Sequence, residues 1–357
     1  MISDPLPDAL LKRFTGPADG FWRAWTQAEV VAKLTRTPIV TLAQAGLPAP
    51  LPPGVVVHHG QHGQTHYCVG MHRPTVAVVV LSMGNRPHEL ARALETLHQQ
   101  VGVEQDVVLV GNGWTPTDVP DWVRTVSPPD NVGVPEGRNI GARHARGDLI
   151  FFYDDDGELP TPETLAHLVD AMGPGIAVVQ PRGVDPTGRP SPRRWVPRLR
   201  TSDANGAGDT VVFWEAMAII RREAFEEVGG WPGEFFFGHE GIDLAMRLLD
   251  AGWRIRYEPA ITVHHPAHPP SRHAVFYRTN ARNRAWVARR NLPIGFAASY
   301  LLVWIAATVL RVRHPGSLRV WFSGLLEGLR GPVPGGRHPL RWRTIWRMTL
   351  LGRPPLW

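Results

Sequence analysis

The residues from Asp148 to Leu165 read DLIFFYDDDGELPTPETL, an apolar run that ends abruptly in three consecutive carboxylates. Leu149–Tyr153 has the continuous apolar character of a strand that is buried on both faces. Because like charges repel, Asp154, Asp155 and Asp156 are expected to stay ionised together only beside a cation. An extended chain points the first and third carboxylate to one side and the second to the other. The run therefore predicts either a divalent-cation site at a strand end or a solvated acidic turn.

Strands and helices alternate along the chain on both sides of this run. Further buried strands are predicted from VAVVVLSM at 76–83, DVVLVGNG at 106–113 and IAVVQPRGV at 176–184. Apolar residues recur at helical spacing in the segments between them. This alternation predicts an α/β fold with a mostly parallel sheet, in which ligands bind beyond the carboxyl ends of the strands. Residues 211–265 add short strands and two helices, which predict a second, mixed half of the sheet.

Composition narrows the class of protein. The chain has 357 residues, a net charge of +6 and one cysteine, Cys68, so an intrachain disulfide is impossible. This cysteine usage is typical of a reducing cytoplasm, and the N-terminal stretch MISDPLPDALLKRF lacks the apolar core of a signal peptide. Nearly all of the cationic charge is arginine, which predicts a surface that attracts anions such as lipid head groups, nucleotides or nucleic acid.

The ends of the chain differ from its centre, which predicts an extension at 1–70, a central α/β domain at 71–270 and a helical region at 271–357. The extension contains helical stretches, DALLKRF and AWTQAEVVAKL, then a proline-rich linker and a segment that fits a β-hairpin. In the third region, Pro293–Leu310 is apolar and uncharged with arginines on both sides. It is interpreted as a helix that spans or lies on a membrane, with a buried core helix as the alternative.

The central motifs resemble those of family-2 glycosyltransferases of the GT-A fold. That family shows Asn-x-Gly, then Arg-Asn-x-Gly, then Gly-Asp, an apolar strand and Asp-x-Asp, which NVGVPEGRNIGARHARGDLIFFYDDD matches from Asn131 to Asp156. The segment VVVLSMGNRPHEL likewise resembles the first strand and helix start of the family. By this resemblance, the residues expected to bind a nucleotide sugar are Ser82, Asn85, Arg86, Asn112, Arg138, Asn139, Asp154 and Asp155.

A second block, FFFGHEGIDLAMRLLDAGWRIRYEPAITVHH, resembles the acceptor-side motif of the same family. The resemblance implies a metal held by Asp156 and His265, with His264 as the alternative. The catalytic Asp of the family falls on Gly241 here, so that Glu240 is the candidate base and Asp243 the second. Asp243 also has a structural interpretation, as a carboxylate at a helix start that pairs with an arginine of the next turn.

A further departure lies at Gly111, where the family has an Asp near the nucleotide base. The resemblance implies a metal-dependent (Mn²⁺ or Mg²⁺), inverting transfer of a hexosyl or deoxyhexosyl group from a nucleotide-diphosphate sugar. The acceptor is expected to be a saccharide, lipid-linked or part of the cell envelope, at the inner face of the cell membrane, with a soluble small metabolite as the alternative. The alternatives are a non-catalytic, membrane-bound sugar-binding subunit and a sugar nucleotidyltransferase. No nucleic-acid partner is expected, and the oligomeric state stays open.

Overall fold

The structure is a computed structural model that describes residues 25–30, 32, 55–62, 65–72, 74–197, 205–268 and 275–355. The chain divides into two compact units, Met1–Thr75 and Val76–Trp357. In the first unit, residues 25–30 are helical. Strand β1 (Val55–His62) pairs antiparallel with β2 (Thr65–His72), which confirms the hairpin. The helix predicted for DALLKRF lies outside the described residues.

The second unit is built on an eight-stranded sheet with the order β5-β4-β3-β6-β9-β7-β10-β8. Its strands are β3 (Val76–Ser82), β4 (Gln105–Gly111), β5 (Val123–Val126), β6 (Leu149–Asp154), β7 (Ile176–Val184), β8 (Gly208–Thr210), β9 (Ile219–Arg221) and β10 (Arg254–His264). The pairs β3–β4, β3–β6, β4–β5 and β7–β10 are parallel, whereas β9 and β8 pair antiparallel with their neighbours. The predicted mixed, mostly parallel sheet is therefore confirmed.

Helices cover both faces of this sheet. In chain order they are α1 (Pro87–His98), α2 (Val134–His144), α3 (Thr164–Asp170), α4 (Arg222–Glu227) and α5 (Glu240–Ala251). Residues Ile150 and Phe152 of β6 point into one core, and Leu149, Phe151 and Tyr153 point into the other. Two covered faces require apolar side chains at every position, which explains why these strands are continuous apolar runs.

The order of the strands in the sheet reverses at β3, and this reversal positions the site. Strand β4 lies on one side of β3 and β6 lies on the other, both parallel to it. Helices α1 and α2 therefore leave towards opposite faces and open a crevice at the carboxyl ends of these strands. Ser82 is the last residue of β3, and Asp154, the last residue of β6, pairs with Leu81 next to it.

Four helices complete the second unit: α6 (Phe276–Asn291), α7 (Ile294–Arg311), α8 (Pro315–Arg330) and α9 (Trp342–Leu350). Helices α6 and α8 pack closely around Ala281, Ala285, Trp321 and Leu325. Helix α7 is long and apolar enough to cross a membrane, and only 6% of its apolar window is buried. That small fraction argues against the alternative of a buried core helix.

Candidate active site

At the end of β6, Asp155 points away from Asp154 and Asp156. Asp155 accepts a hydrogen bond from Ser82 Oγ at 2.7 Å, which ties the tip of β6 to the end of β3. Arg86, at the start of α1, contacts both Asp155 and Asp156 with its guanidinium group. On the other side, the Asp154 carboxylate accepts a hydrogen bond from Arg138 of α2 at 2.8 Å. Two arginines therefore compensate the three acids, and each comes from a helix next to the crevice.

Asp154 and Asp156 converge with His265 on the side away from Asp155. The Nε2 atom of His265 lies 3.3 Å from Oδ2 of Asp154 and 3.2 Å from Oδ1 of Asp156. One ligand atom from each of the three lies within 4.8 Å of the others. Two carboxylates and one imidazole suit a hard or borderline divalent cation, so the donor set fits Mn²⁺ or Mg²⁺. Asp154, which the resemblance assigned to the nucleotide, thus joins the candidate metal group.

Strand β10 delivers His265 to this position. Its last residue, His264, makes a backbone bridge with Glu158 and is not part of the three-residue group. The Nδ1 atom of His265 lies 2.9 Å from the carbonyl oxygen of Pro266, and the indoles of Trp195 and Trp214 pack edge-on against the ring. These contacts fix the ring so that Nε2 faces the carboxylates, as in many metal-binding histidines.

The pKa shifts favour a protonated His265 beside ionised Asp154 and Asp156. Burial alone would lower the pKa of His265, but its hydrogen bonds to Asp154 and Asp156 raise it to about 9. Burial would raise the pKa of Asp154, yet Arg138 and His265 together lower it well below its usual range. Asp155 differs, because burial outweighs the charge of Arg86 and raises its pKa to about 6. The carboxylates of Asp154 and Asp156 therefore stay ionised, and a cation that binds there would displace the proton of His265.

The remaining predicted nucleotide ligands do not all reach this cluster. Asn112 lies at the end of β4, where its side chain binds the backbone of Val132 and Gly133 and so shapes the loop before α2. Asn139 is turned towards the backbone of Trp231, to which it donates one hydrogen bond and from which it accepts another. Asn85 is exposed. Asn139 is thus a structural link in this conformation.

The departure at Gly111 has a steric cause. A Cβ atom added there would overlap the backbone carbonyl oxygen of Trp114 and would lie 2.6 Å from Cδ of Pro116. The indole Nε1 of Trp114 donates a hydrogen bond to the carbonyl oxygen of Ser82 at 2.8 Å, which holds this loop over the end of the sheet. The loop therefore occupies the space that the family's Asp side chain would need.

Helix α5 carries both candidate bases, but their surroundings differ. Glu240 is buried, and its Oε2 atom has no hydrogen-bond partner among the described residues. Burial, followed by the charge of nearby Glu215, raises the pKa of Glu240 to about 7. Asp243 is fully buried and accepts hydrogen bonds from Arg247 at 2.8 Å and Asn291 at 2.7 Å. This arrangement matches the structural interpretation of Asp243.

Sequence reasoning missed Glu215, a second carboxylate beside Glu240. It lies in the loop between β8 and β9, and its Oε1 atom accepts a hydrogen bond from the backbone N–H of Gly241 at 3.1 Å. Burial raises the pKa of Glu215, and the nearby Asp154 contributes in the same direction. No motif joins these distant segments, although the missing Asp at 241 could have prompted a search for a replacement acid.

Comparisons with known proteins agree with this geometry. Residues 78–229 match the model described as "Glycosyl transferase family 2". A pre-mycofactocin glycosyltransferase of Mycobacterium tuberculosis is 30% identical over 207 residues, which cover 54% of this chain and 40% of the relative. An N-acetylglucosaminyl-diphospho-decaprenol L-rhamnosyltransferase of the same organism is 44% identical over 55 residues, 15% of this chain and 18% of the relative. The matches thus span less than half the length of these curated relatives.

Among solved structures, S. aureus TarS 1-349 in complex with UDP-GlcNAc aligns with a TM-score of 0.50 and 16% identity. The alignment covers 71% of this chain and 81% of that one. At this level of identity, the likeness concerns the fold alone.

Proposed function

Since this chain belongs to glycosyl transferase family 2 through its domain at 78–229, we propose that it transfers a sugar from a nucleotide-diphosphate donor to an acceptor hydroxyl, with inversion. The observation that carries the proposal is the group formed by Asp154, Asp156 and His265 at the carboxyl ends of the central strands. A carboxylate pair, Glu215 and Glu240, lies in the same unit, and the charge of Arg138 acts on both of its members. The site thus combines a place for a leaving diphosphate with a place for a base.

Asp154, Asp156 and His265 are the residues that would hold a divalent cation. When bound there, such a cation neutralises the negative charge that develops on the leaving nucleoside diphosphate. Arg86 and Arg138 add fixed positive charge beside these carboxylates. The Nη1 atom of Arg138 is buried without a partner among the described residues, so Arg138 would act on the diphosphate through its charge.

The acceptor hydroxyl needs a base on the opposite face of the sugar. In the proposed reaction the acceptor oxygen attacks the anomeric carbon while its proton moves to a carboxylate, and a single displacement inverts the stereochemistry. Glu240 is the candidate that sequence reasoning provides, and its pKa of about 7 is suited to a general base near neutral pH. The negative charge of Glu215 contributes to this raised pKa.

The tail supports an acceptor at a membrane surface. Helix α7 leaves Ile294, Leu302 and Leu310 between 66% and 80% exposed, and α9 exposes Trp342 and Trp346 to a similar degree. Exposed apolar surface of this extent beside arginines favours a helix that lies at a lipid interface. We therefore place the reaction at the inner face of the cell membrane, with a lipid-linked or cell-envelope saccharide as acceptor.

A buried arginine of α6 packs against the apolar helix α7. The guanidinium of Arg284 in α6 stacks on the indole of Trp304 in α7, with 3.5 Å between its Cζ atom and the ring centroid. No carboxylate lies within ion-pair distance of Arg284 among the residues with described side chains. Burial and the positive charge of Arg284 lower the pKa of His239, the residue that precedes Glu240. An acceptor that carries a phosphate would supply the missing anion.

The proposal is tested with a panel of UDP-, GDP- and dTDP-sugars in the presence of Mn²⁺. A cognate donor should raise the melting temperature of the protein, because a ligand stabilises the state that it binds. The same donor should then be hydrolysed slowly or transferred to an acceptor. Asp156→Ala should abolish donor binding, whereas Glu240→Gln should keep donor binding and lower turnover. A panel that neither binds nor reacts would contradict the proposal.

A further inference from the structure

In α5, Gly241 occupies the position at which the family resemblance leads us to expect an acidic residue. A Cβ atom added to Gly241 would overlap Cγ and Oε1 of Glu215 and would lie 2.5 Å from its Cδ. The side chain of Glu215 therefore fills the volume in which an acidic side chain at 241 would begin. Its carboxylate arrives from a different segment of the chain.

The loop that carries Glu215 is firmly attached to the proposed metal group. The backbone N–H of the preceding residue, Trp214, donates to the buried side chain of Gln180 at 2.8 Å, and the Trp214 ring packs edge-on against His265. At the other end, Gly241 donates its N–H to Oε1 of Glu215. This loop thus bridges the diphosphate side of the crevice and the start of α5.

The side chains of Glu215 and Glu240 differ in their exposure to solvent. Glu215 is partly exposed, whereas Glu240 is 5% exposed with its Oε2 atom sealed from solvent. A base must come within hydrogen-bond distance of the acceptor hydroxyl, and the more accessible of two paired carboxylates is the one that can do so. Glu240 lies behind it as a second, buried acid.

We propose that Glu215 is the catalytic residue that accepts the proton of the acceptor hydroxyl, replacing the acid that the family carries at position 241. This proposal rests on the proposed function. The acceptor O–H proton passes to a carboxylate oxygen of Glu215, and the acceptor oxygen bonds to the anomeric carbon. The bond from that carbon to the nucleoside diphosphate breaks, and its electron pair leaves with the diphosphate. Glu240 then remains as the buried acid behind the base.

A reciprocal exchange tests the shared volume without any substrate. Gly241→Asp alone should lower the melting temperature by about 5 °C or more, because the new side chain overlaps Glu215. Adding Glu215→Ala to this variant should restore most of the loss, since the volume becomes free. If the single and the double variant are equally destabilised, Glu215 does not occupy that volume and the proposal fails.

Activity tests the chemical role. Glu215→Ala and Glu215→Gln should reduce transfer by about 100-fold or more and leave binding of the donor that the nucleotide-sugar panel identifies unchanged. The double variant Glu215→Ala/Gly241→Asp should regain at least about ten-fold over Glu215→Ala, because a carboxylate returns to the same place. Glu226→Gln, a change to an exposed acid of α4, should have no effect.

The outcomes separate this inference from the proposed function. Full transfer by Glu215→Gln, with transfer lost in Asp156→Ala, would refute the role of Glu215 and leave the proposed function intact. Restored stability of the double variant without restored transfer would also refute the base. Absence of donor binding and transfer in the native protein would instead refute the proposed function, and with it the role of Glu215.

Discussion

His265 Nε2 lies 3.2 Å from Oδ1 of Asp156, and this pair joins the end of β10 to the tip of β6. The two residues come from opposite halves of the mixed sheet. Their meeting places a nitrogen ligand beside two carboxylates at the point where the chain order reverses at β3. Nucleotide ligands commonly bind at such a reversal point.

This pair makes a prediction about metal binding. His265→Ala and Asp156→Ala should each weaken Mn²⁺ binding by about 10-fold or more, because each removes one of three ligands. Isothermal titration of the protein with Mn²⁺ measures the effect. His264→Ala is the matched control, since His264 lies outside the group and should leave the affinity unchanged. Equal losses in both histidine variants would contradict the assignment.

Glu240 makes a prediction about stability and pH. Its folded-state pKa of about 7 lies above the ordinary value of 4.5, so the folded protein binds more protons than the unfolded chain between these two values. The free energy of unfolding from this group therefore falls as pH rises from about 4.5 to 7 and stays low above it. Glu240→Gln should be more stable than the native protein at pH 8, by about 2 kcal/mol, and equal to it near pH 4.5.

Urea denaturation of both proteins at pH 5, 6, 7 and 8 measures this difference. Glu226→Gln serves as the control, because that acid is exposed and its change should produce no pH-dependent gain. A native protein whose stability rose relative to Glu240→Gln between pH 5 and 8 would have the opposite sign and would contradict the raised pKa.

Asp243 makes a prediction about its structural role. Its carboxylate lies between Arg247 and Arg290 with no exposed surface. Asp243→Asn should reduce the free energy of unfolding by about 3 kcal/mol, because it leaves two buried guanidinium groups without an anion. Asp209→Asn, which breaks a half-exposed pair with Arg254, should cost about 1 kcal/mol or less. Donor affinity of the folded Asp243→Asn protein should be unchanged, and a selective loss of donor binding would contradict this role.

The exposed tail makes a prediction about membranes. The double variant Trp342→Ser/Trp346→Ser should bind vesicles with 30% phosphatidylglycerol about 10-fold more weakly than the native protein, because it removes two aromatic anchors from α9. Co-sedimentation measures the bound fraction. Val101→Ser, a change to an exposed apolar residue in the loop after α1, should bind normally. Equal binding by all three proteins would show that α9 does not face the lipid.

Arg284 makes a prediction about the acceptor. Arg284→Met keeps the apolar stem but removes the charge, so donor hydrolysis by water should be unchanged while KM for a polyprenyl-diphosphate-linked saccharide rises about 10-fold. Arg278→Met, on the same helix but paired with Glu327 at the surface, is the control. An unchanged KM in Arg284→Met would contradict the proposed contact between Arg284 and an acceptor phosphate.

The sequence was most informative where a local pattern has one physical cause. Strands β3 and β6 could be predicted because a strand covered on both faces must be apolar throughout, as 76–80 and 149–153 are. The opposed directions of Asp154 and Asp155 follow from strand alternation and also agree with the structure. Asp156 and His265 came from resemblance rather than from spacing, because only the folded sheet brings β6 and β10 together.

Other features depend on packing that no local pattern encodes. The contact between Glu215 and Gly241 joins a loop to a helix start, and no sequence pattern near either residue predicts this contact. The role of Asn139 was likewise set by the backbone of Trp231, which folds against α2. Gly111 and Gly241 signalled departures in the sequence, but only the structure reveals what occupies the vacated space.

The central claim is that a divalent cation and a diphosphate meet at Asp154, Asp156 and His265. The most direct test is anomalous diffraction at the manganese edge from crystals soaked with MnCl₂ and pyrophosphate. A manganese peak should lie between these three side chains, with pyrophosphate oxygens beside it and within reach of Arg86 or Arg138. A peak bound elsewhere, or pyrophosphate bound without manganese at these residues, would contradict the claim.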